Sequence, residues 1–123
     1  MKNREMHIAL RNSGYRFIGE KYGDYTYGKP LGYGCLSAYF RPEEAKIEIL
    51  LMVKEVPQKD KHLNAIWKSV RHDISSEHED LYLNCVQTIK DCEVEIFSTT
   101  PVAWQCNRFV RYDFEENPSL DIY

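Results

Sequence analysis

All six glycines of this chain of 123 residues, Gly14, Gly19, Gly23, Gly28, Gly32 and Gly34, fall within one stretch of 21 residues, interleaved with Tyr15, Tyr22, Tyr25, Tyr27 and Tyr33. Glycine accepts backbone conformations that other residues avoid, and tyrosine joins a flat apolar body to a polar tip. A segment built from both suits tight turns between strands, with rings left over for recognition. The glycines form no Gly-x-Gly-x-x-Gly pattern and no Gly-Lys-Ser/Thr follows them, so neither phosphate-cradling motif is present.

The turns can be placed. Gly23-Asp24 fits a two-residue hairpin loop, which pairs Tyr15 to Tyr22 with Tyr25 to Lys29 and sets Gly19 opposite Gly28. Two bare glycines facing each other mark a bend or a close approach by something large. Lys29-Pro30-Leu31-Gly32 has the proline of a type I turn and leads into the next strand. From Tyr33 to Phe40, Leu36, Ala38 and Phe40 alternate with Cys35, Ser37 and Tyr39; from Ala45 to Val53, Ile47, Ile49, Leu51 and Val53 make one apolar face. Ahead of the meander, Met6, Ala9 and Leu10 share a side of a short helix from Asn3 to Arg11, stopped by Asn12-Ser13-Gly14.

Beyond Pro57 the period changes. Leu63, Ile66, Trp67, Val70 and Ile74 have the spacing of a helical stripe and predict a long helix across the sheet. For Leu81 to Ile89 a helix opened by a Ser76/Glu79 capping box competes with a strand. The β-rich composition favours a hairpin turning at Lys90-Asp91, with Thr88 beside Glu93 and Asn84 beside Phe97. Asn107 to Phe114 reads as a last strand. The expected fold is therefore α+β: an antiparallel sheet of about six or seven strands, one long helix packed across it and a short N-terminal helix. Residues 1–114 form a single domain in this reading, and residues 115–123 an acidic, loose tail.

Composition bounds the function. With 43% hydrophobic and 28% charged residues the chain is that of an ordinary globular domain. The longest apolar run, Ile49 to Val53, is too short to cross a membrane, and no secretory signal opens the sequence, so the expected location is cytoplasmic. Cys35, Cys85, Cys92 and Cys106 are then expected as buried free thiols without disulfides. Residues 1–71 hold 13 Lys/Arg against 8 Asp/Glu, and residues 72–123 hold 3 against 11, which points to an acidic surface late in the chain and disfavours broad nucleic-acid binding there.

No constellation names a reaction. His7, His62, His72 and His78 include no pair at the i, i+4 spacing that puts two imidazoles on one helix face. Cys85, Cys92 and Cys106 with one histidine would be an acceptable zinc set by chemistry, but core cysteine is the stronger reading. No Gly-x-Ser-x-Gly elbow is present. The expectation is no catalytic residue, no metal and no cofactor.

Binding is the favoured activity. Tyr, Trp and Arg dominate interface hot spots, so Tyr22, Tyr25 and Tyr27 on the hairpin, with the acidic Glu77, Glu79, Asp80, Glu93 and Glu95, form the expected contact surface of a small inhibitor, immunity or adaptor protein. Its partner is expected to be another protein with a basic surface. Two alternatives stand beside it. One is a small-ligand or enzymatic pocket lined by Tyr33, Tyr39 and Trp104. The other is single-stranded nucleic-acid binding through Arg16, Lys21 and Arg108 with neighbouring aromatics.

Overall fold

Alternating apolar and polar residues between the glycines build a meander. In the computed structural model, which describes residues 3–31, 34–54 and 64–100, helix α1 (Asn3–Asn12) leads into strands β1 (Arg16–Lys21), β2 (Asp24–Leu31), β3 (Gly34–Arg41), β4 (Lys46–Lys54) and β5 (Asn64–Asp73), and helix α2 (Leu81–Ser98) follows. The five strands lie side by side in chain order and every pairing is antiparallel. The α+β class is as expected; the described strands are fewer than the six or seven anticipated. The expected strand Asn107 to Phe114 and the tail lie outside the described residues.

Helix α1 ends as its sequence suggests. Gly14 takes φ 96°, and the bonds Tyr15 N–H to Leu10 C=O (2.9 Å) and Gly14 N–H to Arg11 C=O (3.0 Å) close a Schellman motif. The first hairpin differs from expectation. Its two-residue loop is Tyr22-Gly23, with φ 55° and 83°, and Lys21 pairs with Asp24. Positive φ at both central residues is a type I′ turn, whose twist suits a hairpin. A bulge between Phe17 and Gly19 then sets Gly19 against Thr26 and Gly28 against Arg16. The facing glycine pair does not form, and the space around Gly19 is open. Gly34, by contrast, is required by close approach: a Cβ there would run into the main-chain carbonyl of Met52.

The pleat divides the sheet into two faces. Tyr27 and Leu31 of β2, Leu36, Ala38 and Phe40 of β3, Ile47, Ile49, Leu51 and Val53 of β4, and Val70 of β5 point to one side, where Met6, Ala9 and Leu10 of α1 and Cys85, Ile89, Cys92 and Ile96 of α2 complete a single core. Both helices therefore cover the same face. Helix α1 packs on α2 and β1, and α2 lies against β4 and β5.

Two elements exchange their expected identities. The segment expected as the long helix is β5. A bulge in its pairing with β4, where Leu51 opposes Lys68 but Met52 opposes Ile66, inserts Trp67 and interrupts the two-residue alternation. That insertion spaces Ile66, Trp67 and Val70 like a helical stripe. The segment expected as a hairpin is α2, which buries Asn84, Cys85, Thr88, Ile89, Cys92 and Ile96 at intervals of three and four. The expected neighbours Thr88/Glu93 and Asn84/Phe97 are positions along one helix.

Capping from outside the apolar pattern stabilises α2 against its β-branched residues. Asp80, not Ser76, is the N-cap, accepting from Tyr82 N–H at 2.8 Å and Leu83 N–H at 3.2 Å. The Asn84 amide clamps the preceding loop by accepting from His78 N–H (2.7 Å) and donating to His78 C=O (2.8 Å).

Candidate functional site

Antiparallel order brings three connections to one end of the sheet. The Tyr22-Gly23 turn, the short 3-10 turn Pro42–Glu44 and the loop from Ile74 to Asp80 all lie there, and Ile74 N–H bonds Ala45 C=O at 3.0 Å to join the last two. Tyr22 stands at one side of this end, 93% exposed. The Lys21 ammonium lies 5.5 Å from that ring's centre. The acidic loop stands on the far side, about 15–20 Å away by strand spacing.

Some charges at this end are neutralised within the fold. Arg41 faces Asp24 at 3.6 Å and Glu44 and Glu48 at 3.9 Å, and Lys46 faces Asp73 at 3.9 Å. Glu43, Glu77 and Glu79 are exposed and form no ion pair among the described residues.

The residues expected as one contact surface are thus divided. Tyr22, Glu77 and Glu79 share the turn end and are open to solvent. Asp80 is occupied as the cap of α2. Glu95 bonds His72 at 2.7 Å, while Glu93 accepts from the Tyr15 hydroxyl at 2.6 Å and pairs with Lys29 at 3.3 Å. Tyr27 is 3% exposed and its hydroxyl bonds the His7 Nδ1; Tyr25 is half-buried beside it.

These last two rings face a cavity. The side of α1 and the β1–β2 hairpin enclose about 560 Å³ lined by His7, Arg11, Tyr15, Arg16, Phe17, Tyr25 and Tyr27. Phe17 opposes Tyr27 across the strands, with ring centres 5.3 Å apart, and sits 6.4 Å from Tyr25. His7 meets Tyr25 edge-on at 4.6 Å and Phe40 at 6.1 Å. Burial, helped by the Arg11 charge, holds His7 below its ordinary 6.5 and so favours the neutral ring. Arg11 makes no salt bridge among the described residues.

A second cleft lies on the same face of the sheet, between α2 and β2–β3. It measures about 490 Å³ and is lined by Lys29, Leu31, Leu36, Lys90, Glu93, Val94 and Phe97. Of the charged groups lining it, Lys29 and Glu93 pair with each other, while the exposed Lys90 forms no ion pair among the described residues. Burial, with Glu93 close by, raises the Tyr15 hydroxyl well above its ordinary 10, and burial with nearby carboxylates raises the Cys92 thiol to about 12. Burial raises Cys85 to about 11.

The remaining expected residues are dispersed. Tyr39 is half-buried on the sheet face away from the helices, and its expected companions Tyr33 and Trp104 lie outside the described residues. Lys21 is at the hairpin end and Arg16 at the start of β1; Arg108 lies outside the described residues. Cys85 and Cys92 are buried free thiols and Cys35 is buried, Cys106 lies outside, and no group of three metal-ligating side chains occurs among the described residues. His72 is on β5 and His78 in the loop before α2, while His62 lies outside. No described helix is long and apolar enough to cross a membrane.

Arg11 and Phe17 carry no sequence signal that singles them out, and His7 has no companion histidine at helical spacing. The spacing of His7 and Arg11 by one helical turn was available, but Phe17 joins them only through the pairing of β1 with β2. Comparison of the chain with protein-family models, curated proteins and solved structures gives no match.

Proposed function

We propose that this chain is a partner-binding protein that holds a basic protein against the turn end of the sheet, with Tyr22 as anchor and Glu43, Glu77 and Glu79 as its charged rim. Tyr22 carries this reading. A non-glycine residue at φ 55° costs of order 1 kcal/mol, and a tyrosine that is 93% exposed returns little of that through packing. Asparagine would serve the turn better. A strained, exposed aromatic at a rigid loop tip supports a contact with something outside the fold, where tyrosine buries much area at small entropic cost. Unpaired carboxylates at the same end favour a basic partner and speed its approach.

The test compares proteins captured from the native host by the wild-type chain, by Tyr22→Asn, and by Glu77→Lys/Glu79→Lys. Asparagine keeps the type I′ turn, so the first variant should fold as well as the wild type while its capture of the specific partner drops about tenfold or more. The charge reversals should slow association most at low salt. Recovery of the same partner in undiminished yield by both variants would overturn the reading.

A further inference from the structure

We propose that the cavity between α1 and the β1–β2 hairpin binds a small molecule made of a flat aromatic ring with a carboxylate or phosphate beside it, the ring against Phe17 and Tyr25 and the anionic group on Arg11. The site is separate from the turn-end surface and stands or falls independently of it. Its volume of about 560 Å³ is within the range of ligand sites, roughly 300–1,000 Å³.

Aromatic character decides one half of the ligand. Phe17 is 55% exposed although it adjoins Tyr25 and Tyr27, so a cluster of converging rings stops one partner short of closure. Ring planes inclined at 49° and 62° to Phe17 form a wedge into which another flat ring can stack or meet an edge.

Charge decides the other half. Rings alone would also suit a cation, through attraction to their faces. Arg11 argues against that, since it lines the same cavity and its charge is felt at His7. No carboxylate is among the described residues lining the space, and guanidinium matches carboxylate or phosphate in a two-pronged bond. Arg16 borders the cavity too, but its pairing opposite Gly28 starts its side chain from the far face of the sheet, so Arg11 is assigned the anion.

Neutral His7 adds a directional contact. Nδ1 shares a hydrogen bond with the Tyr27 hydroxyl, and the tautomer in which that hydroxyl donates leaves an N–H on Nε2 as a donor.

Calorimetric titration of the purified protein tests this with indole-3-acetate and AMP, their uncharged counterparts indole-3-ethanol and adenosine, and inorganic phosphate. Saturable binding is expected for at least one charged ring compound, about tenfold or more tighter than for its neutral counterpart and for phosphate alone. Binding of indole-3-acetate only identifies a carboxylate ligand, AMP only a nucleotide, and both the shared chemistry; each outcome supports the site.

Arg11→Ala and Phe17→Ala, both at exposed positions, should each weaken that binding about tenfold with circular dichroism unchanged. Should a variant fold poorly, perturbation of the His7 and Tyr25 ring resonances on titrating the wild type locates the ligand without it. Absence of binding at millimolar concentration, equal affinity for charged and neutral forms, phosphate binding as tight as AMP, or affinity unchanged in both folded variants would each sink the proposal.

Discussion

Two recesses of similar size lie on the same face of one sheet, and they treat charge in opposite ways. In the cleft under α2, Lys29 has Glu93 at 3.3 Å, and the same carboxylate accepts a hydrogen bond from the buried Tyr15 hydroxyl. In the cavity beside α1, Arg11 has no acid among the described residues, and the rings around it leave Phe17 half in water. The first arrangement contains its own counter-charge and functions as part of the core boundary. The second has no carboxylate among its described lining residues, and that is where the proposed ligand would place its anionic group. Volume and apolar lining do not separate these two recesses; among the described residues, a carboxylate lines the first and none lines the second.

The largest test of that contrast is chemical. Cys85 and Cys92 close the α2 side with no exposed surface, and their thiols are raised to about 11 and about 12. At pH 8 the reactive thiolate is then about a thousandth or less of each. Peptide-level mass spectrometry after brief maleimide treatment should find both unlabelled in the native protein and labelled in urea, a rate difference from thiolate population alone of about a hundredfold for Cys85 and about a thousandfold for Cys92. Equal rates would mean that α2 lifts readily, and the sealed half of the comparison would fail.

Substitution at the counter-ion itself comes next. Glu93→Ala leaves the hydroxyl of Tyr15, 2% exposed, without its acceptor and should lower stability to urea by roughly 1–3 kcal/mol. Glu93→Gln keeps an acceptor oxygen and should cost less. Arg11→Ala, at an exposed helix position with no ion pair to lose, should stay within about 0.5 kcal/mol of wild type. Comparable losses at Arg11 and Glu93 would erase the distinction between a structural cleft and a binding cavity.

The same two regions show how far local pattern reaches. β3 and β4 are legible because each carries an unbroken apolar face at every second residue, Leu36, Ala38 and Phe40 in one and Ile47, Ile49, Leu51 and Val53 in the other. β5 is not, because one inserted residue at Trp67 turns a two-residue period into an apparent helical one. α2 is misread because Val86, Thr88, Ile89, Val94 and Ile96 prefer strands locally, while the Asp80 cap and burial against β4 and β5 decide the outcome. The hairpin slipped for a related reason. Tyr22 adopts a conformation that propensity assigns to glycine or asparagine, moving the turn one residue and, with the bulge, changing every partner. That slip hid the cavity. Phe17 meets Tyr27 only in the true register, and His7 reaches Tyr27 across 20 residues of sequence.

The smallest expected effect probes the open cavity directly. His7 is held below 6.5 first by burial and then by Arg11, so the folded protein binds its proton less readily than the unfolded chain does. His7 therefore contributes stability that is fully present above pH 6.5, and stability should fall as acidification proceeds from there through the folded value. His7→Gln should flatten that slope, with the other histidines cancelling in the difference between the two proteins. Arg11→Ala removes the lesser cause and should move the His7 midpoint, followed by NMR, upward by only part of its shift. An anion seated on Arg11 should move it in the same direction, because it offsets the same charge. A midpoint indifferent to Arg11→Ala would place that guanidinium's field away from the cavity, and the basis for assigning an anionic ligand to it would be lost.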